Sequence, residues 1–177
     1  MNIWHDIKKE RVTKDKFLAV VEISKGSKKK YELDKETGVL ILDRILHTST
    51  HYPANYGFIP LTYADDNDPL DVLVLCSESL EGLTMVDCYP IGAVRMRDGG
   101  KNDDKIIAIP FNDPTWNHYK DITTLPPHML NEMMHFFQVY KTLEHSTTTD
   151  EIDILDKPRA IQIIEDSIQA YNKLIKK

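Results

Sequence analysis

The chain has 177 residues, 41% hydrophobic and 28% charged, with a net charge of −6, which fits a single domain over residues 1–177 with a sizeable core. The negative balance disfavours nonspecific binding to nucleic acid or an anionic membrane, though it leaves room for a local anion pocket. No apolar run approaches the roughly 18 residues of a membrane span, and Met1–Asp6 lacks an export-signal pattern. A cytoplasmic chain is therefore expected, with no membrane or nucleic-acid partner. The two cysteines, Cys76 and Cys88, both lie in apolar segments and read as buried, reduced thiols.

Taken in order, Phe17–Ile23 (F-L-A-V-V-E-I) is a β-prone, apolar run interrupted by Glu22. An acid at that point is either a strand-end carboxylate facing water or one turned into a polar cavity. Lys30–Asp34 alternates, with Lys30, Glu32 and Asp34 on one face and Tyr31 and Leu33 on the other. The K-E-T-G turn and the return strand Val39–Asp43 complete a hairpin, followed at once by Arg44. Lys30, Glu32 and Arg44 can then share its polar face, either around a ligand or as cross-strand ion pairs.

Between His47 and Pro60, His47 and His51 are four residues apart, but Thr48 replaces the glutamate of the H-E-x-x-H zinc motif and the segment is a poor helix. Tyr52 and Tyr56 place phenol groups near a rigid turn, for a ligand or for packing. The next stretch, Tyr63–Leu75 (Y-A-D-D-N-D-P-L-D-V-L-V-L), holds four aspartates within seven residues and then becomes an apolar strand. In an extended chain Asp66 and Asp68 project the same way, Pro69 prevents a helix, and Asp71 opens the strand. Carboxylates so crowded repel one another and are reconciled by hard, oxygen-seeking cations such as Mg²⁺; an ordinary solvated turn is the alternative, but the strict D-x-D-P-x-D before a buried strand makes a metal site the leading reading. An EF-hand is excluded because a loop begun at Asp66 would put Asp71 at its glycine position and Ser77 at its glutamate position.

Val72–Cys76, Val86–Cys88, Ile91–Met96 and Ile106–Ile109 read as further short strands, which imply a barrel or sandwich. Arg97–Lys105 is expected to be a second acidic loop, flexible at Gly99 and Gly100 and without P-loop spacing. A helix is predicted over Pro127–Glu144, with Leu130, Met133, Phe137 and Tyr140 toward the core and Lys141 beside that stripe. Glu144–Lys157 is a polar connector, and Pro158–Ile175 a second amphipathic helix with Ile161, Ile164, Ile168, Tyr171 and Ile175 on one stripe.

Together these pieces resemble the family I soluble inorganic pyrophosphatases of the short bacterial type. The specific signature D-x-D-P-x-D-V stands at Asp66–Val72. It is joined by E-I at Glu22, K-Y-E at Lys30–Glu32, D-R at Asp43–Arg44, Y-P-x-N-Y-G at Tyr52–Gly57, D-x4-D-x-K at Asp98–Lys105 and Y-K at Tyr140–Lys141. The resemblance implies Mg²⁺-dependent hydrolysis of pyrophosphate to two phosphates, with Asp66, Asp71, Asp98 and Asp103 binding the metal. It implies further that Asp68 touches both metal and attacking water, and that Glu22 and Glu32 join the metal site and its surroundings. Lys30, Arg44, Lys105 and Lys141, with Tyr56 and Tyr140, would hold the phosphates, and Tyr52 would line the pocket. The implied fold is α+β, mainly β: a small closed OB-type β-barrel with two packed α-helices, assembled as a homohexamer. After Lys141 the family often carries a basic Gly-Lys-Trp stretch; this chain has His145–Asp150 instead, a change that bears on surface or subunit contacts.

Two rivals stand beside that reading. A nonenzymatic nucleic-acid-binding barrel would need a basic groove with exposed aromatics, whereas the most distinctive cluster here is acidic. A metal-dependent phosphatase acting on nucleotides differs only in substrate, which a comparison of pyrophosphate with ATP would reveal.

Overall fold

A computed structural model describes residues 2–98, 100–144 and 151–176, the side chain of Asp98 excepted. The strands are β1 (Phe17–Ile23), β2 (Lys29–Leu33), β3 (Leu40–Ile45), β4 (Asn55–Phe58), β5 (Asp71–Val74), β6 (Met85–Asp98), β7 (Lys101–Pro110) and β8 (Ile152–Leu155). The helices are α1 (Pro127–Val139) and α2 (Lys157–Leu174). The main sheet runs β1-β4-β5-β7-β6-β8, and an additional β1–β6 pairing closes five of its strands into a barrel, with β8 outside the ring. Among the described residues only the β5–β7 ladder is parallel. The β2–β3 hairpin forms a separate two-stranded sheet.

Strand alternation supplies two cores. Val72, Val74, Ile106 and Ala108 face one cluster, which receives Ala160, Ile164 and Tyr171 of α2. Their neighbours Leu73, Leu75, Ile107 and Ile109 face the other, which receives Met133, Phe136 and Phe137 of α1. Both faces of β5 and β7 are therefore buried, which is why these segments read as unbroken apolar runs. Each large apolar side chain removed from water contributes about 1.5–3 kcal/mol, so α1 is held mainly by this face.

Along β6 the cluster facing α1 takes Tyr89 and Ile91, then Val94 and Met96. The odd-to-even change follows from a register shift between Pro90 and Gly92, since an inserted residue exchanges the two faces. Gly57 is required by close approach. A Cβ there would lie 1.8 Å from the Val20 carbonyl oxygen, in the ladder joining β1 to β4. Asp156 caps α2 by accepting a hydrogen bond from the Arg159 amide at 3.0 Å.

Several elements differ from their sequence expectation. Val86–Cys88 and Ile91–Met96 belong to one 14-residue strand, β6, bent at its bulge. Most of the expected Arg97–Lys105 loop is the end of β6 and the start of β7, paired from Arg95↔Asp104 to Asp98↔Lys101. Two strands are additional: β4, inside the His47–Pro60 stretch, and β8, inside the expected polar connector. Helix α1 ends at Val139, and the chain continues through turns to Glu144. The altered His145–Asp150 stretch lies outside the described residues. Among the described residues no helix is long and apolar enough to cross a membrane.

Candidate active site

At one end of the barrel, register brings together charges distant in sequence. Asp71 and Lys105 are the first partners of the parallel β5–β7 ladder, and Asp103 lies two residues before Lys105 on the same face of β7. Lys105, 2% exposed, donates from its ammonium to Asp71 Oδ2 at 2.7 Å, Asp103 Oδ1 at 2.9 Å and the Tyr56 hydroxyl at 3.0 Å. Tyr56, from β4, donates to the same Asp71 oxygen at 2.5 Å. Burial works against the Lys105 charge, but Asp71, Tyr56 and Asp103 outweigh it and hold its pKa well above the usual lysine range. Burial raises the Asp71 carboxyl even so, whereas Lys105, Lys141 and Lys30 overcome burial at Asp103 and lower it. Burial and Asp71 also keep the Tyr56 phenol a protonated donor.

The aspartate loop forms the next wall. Its turn is fixed by Asn67 at φ +70°, by the Ala64 amide donating to the Asp68 carbonyl at 2.8 Å, and by the Asp68 amide donating to Asp66 Oδ1 at 3.1 Å. Burial, and then Asp103, raise the Asp66 carboxyl. Asp68 Oδ1 is enclosed and accepts no hydrogen bond, although the Lys35 ammonium from the β2–β3 turn lies against it. Lys35 carries no motif and belongs to a turn, so only the tertiary fold reveals its place beside the aspartates.

The hairpin and β1 supply the facing wall. Lys30 bonds to Glu32 and reaches Asp43 at 3.4 Å. Glu22 accepts a hydrogen bond from the Leu33 amide at 2.7 Å, and burial followed by the charge of Asp71 pushes its pKa up to about 8. Glu22 is thus turned inward, where burial and Asp71 favour its protonated form. Arg44 pairs with Lys30 across the hairpin, and its guanidinium donates to Glu144 Oε1 at 2.9 Å and to Asp43. Those acceptors hold it outside the set of side chains lining the cavity.

Tyr140, the C-cap of α1, and Lys141 close the remaining side. The Lys141 ammonium stands 5.3 Å from the Tyr140 ring centroid. Tyr52 is packed behind the wall, its ring 5.2 Å from Tyr56 and 4.8 Å from Phe136. The Asp98 side chain lies outside the described residues, although its backbone pairs with Lys101 at the end of β6. The cavity bounded by these residues has a volume of about 210 Å³. That is smaller than the roughly 300–1,000 Å³ of pockets built for drug-sized ligands.

Asp66, Asp68, Asp71, Asp103, Glu22 and Glu32 all line this one cavity, and the enclosed Asp68 Oδ1, held only by the Lys35 ammonium, is an oxygen of the type a hard cation seeks. Oxygen donors of this kind are the ones Mg²⁺ takes. Among the described residues no three carboxylates are drawn to a common point, because Lys105 and Lys35 stand between them as counter-charges.

At one end of the closed barrel, carboxylates and ammonium groups are thus interleaved around one small polar cavity. Residues 19–172 match the family model described as inorganic pyrophosphatase, and the chain belongs to that family. It is 43% identical to soluble inorganic pyrophosphatase 2 of Chlamydomonas reinhardtii, covering 96% of this chain and 88% of that one. It is 39% identical to an inorganic pyrophosphatase of Haloferax volcanii, covering 98% of each. Among solved structures, the Helicobacter pylori enzyme superposes with a TM-score of 0.84 at 40% identity, covering 93% of this chain and 99% of that one. The barrel with its two packed helices is the OB-type fold of these proteins.

Proposed function

We propose that this chain, an inorganic diphosphatase by family, hydrolyses pyrophosphate to two phosphates with Mg²⁺ in the cavity between β5, β7, the aspartate loop and the β2–β3 hairpin. The observation that carries the reading is Lys105, buried between Asp71 and Asp103 at the base of a cavity whose walls alternate further carboxylates with Lys30 and Lys141. Asp66, Asp71, Asp98 and Asp103 would hold Mg²⁺, with Asp68, Glu22 and Glu32 beside them. When bound, the metal would neutralise charge on the polyanion and lower the pKa of water.

The remaining work belongs to the chain's own side chains. Asp68 takes the proton of the attacking water and orients it. Lys30 and Lys141 stabilise the charge that accumulates on the leaving phosphate, with Lys105 adding its charge from beneath; Tyr140 donates to the phosphate oxygens, and Tyr56, whose one O–H proton goes to Asp71, would do so once a metal engages that carboxylate. Arg44 would offer a planar fork once substrate competes for it with Glu144 and Asp43, a geometry that lysine cannot reproduce. Tyr52 supports Tyr56 from behind. A small cavity favours pyrophosphate over a nucleotide, and cytoplasmic action agrees with the buried, unbridged Cys76 and Cys88.

Phosphate release from pyrophosphate, ATP and a simple monoester, with and without Mg²⁺, tests this function. Pyrophosphate should be hydrolysed only with the metal and ATP poorly; Ca²⁺, larger and less strict in geometry, should support little turnover. Equal rates on ATP and pyrophosphate would indicate a general phosphatase. Assembly is part of the proposal: Val39, Ile41, Leu42 and Ile45 leave apolar surface exposed along the hairpin, and a homohexamer is expected in sedimentation. A monomer at micromolar concentration would refute the assembly.

A further inference from the structure

Lys35 sits in the turn between β2 and β3, and its position is fixed from behind. The Asn2 side-chain amide donates to the Lys35 carbonyl at 2.7 Å, and the Lys35 ammonium stands 5.9 Å from the Trp4 ring centroid. Trp4 is buried, donates its indole N–H to the Thr62 carbonyl at 3.0 Å, and accepts the Leu61 amide at 3.0 Å. The Thr62 hydroxyl in turn accepts the Leu70 amide at 2.9 Å, across the base of the loop that carries Asp66 and Asp68. One tryptophan therefore braces both the turn bearing the ammonium and the loop bearing the carboxylate.

The pairing itself is close but open to solvent. Lys35 and Asp68 side chains are 50% and 46% exposed, and Asp68 Oδ1 accepts no aligned hydrogen bond despite the contact. Such an ion pair offsets crowding among the aspartates yet is weak enough to be exchanged for a better-coordinated cation.

We propose that Lys35 is a positioning residue, a tethered counter-ion of Asp68 whose ammonium Mg²⁺ must displace to reach that carboxylate. The inference rests on the reading of the cavity as a Mg²⁺ site. Lys35 then holds Asp68 toward the cavity when metal is scarce and lowers apparent metal affinity in return. Because the pair is half exposed, the effect is modest, roughly two- to fivefold in affinity.

The test is calorimetric titration of Mg²⁺ into the chelator-treated full-length protein, for wild type, Lys35→Met, Lys35→Arg, Asp68→Asn and the double variant Lys35→Met with Asp68→Asn. Lys35→Met should bind Mg²⁺ roughly two- to fivefold more tightly, Lys35→Arg should match wild type, and the gain should shrink below about twofold in the Asp68→Asn background. An unchanged affinity in Lys35→Met, with Asp68→Asn weakened, overturns the inference alone. A gain of equal size in both backgrounds also overturns it, since the lysine would then act through its general field and not through Asp68. Failure of wild type to bind Mg²⁺ at millimolar concentration would remove the metal-site reading and this inference with it.

Discussion

Glu22 shows how one residue couples stability, pH and metal. Its folded pKa, pushed from 4.5 to about 8 by burial and by Asp71, means that the folded state keeps a proton the unfolded chain releases. The stabilisation is therefore complete below about pH 4.5 and lost as pH rises toward 8. The melting temperature of chelator-treated protein should fall across that window through this residue, and Glu22→Gln, which keeps a neutral side chain, should flatten the fall. An identical profile in the variant would contradict the inward, protonated carboxyl. Asp71 works in the same direction and Asp103 in the opposite one, so the comparison with the variant isolates Glu22. At this scale the grouping of the aspartate run was legible from its spacing, and the fold turns Asp66, Asp68 and Asp71 to one cavity. Glu22 remained open between water and cavity, since alternation alone does not say which face a strand end presents. Lys35 and Glu144 were invisible as site neighbours because turn and helix-end residues acquire partners only through tertiary folding.

Among the elements, the β2–β3 hairpin, the apolar strands and both helices were readable from period and turn chemistry, and their edges were not. Strand β4 hid because it is four residues long and contains a glycine, two features that weaken a strand signal. That glycine is nevertheless what lets β4 approach β1. Gly57→Ala would press a methyl group into the Val20 carbonyl and separate the two strands. A loss on the order of 3–5 kcal/mol is expected in denaturant unfolding, with Tyr56 displaced from Asp71 and Lys105. Near-native stability in that variant would contradict the close β1–β4 packing. Strand β8 escaped for a different reason: Ile152–Leu155 is short, set among polar residues, and paired only on the outside of β6. The expected loop at Arg97–Lys105 became strand because pairing between β6 and β7 overrides the turn tendency of its polar residues.

For the whole molecule, local pattern supports a barrel or sandwich, while closure depends on the β1–β6 pairing between residues some seventy apart, which no periodicity encodes. Resemblance across the dispersed motifs supplied the particular barrel. That closure also gathers β4, β5, β7 and the aspartate loop around one cavity, making its carboxylates and lysines two parts of a single charge arrangement. The central claim is that pyrophosphate is hydrolysed in this cavity with Asp68 as the proton acceptor. Its most direct test is pyrophosphate turnover by folded Asp68→Asn in saturating Mg²⁺ at neutral pH, with metal titration confirming that the site is loaded. Turnover should fall on the order of 10²–10⁴-fold while Mg²⁺ still binds at the remaining carboxylates. Near-native turnover by the metal-loaded variant would contradict the claim.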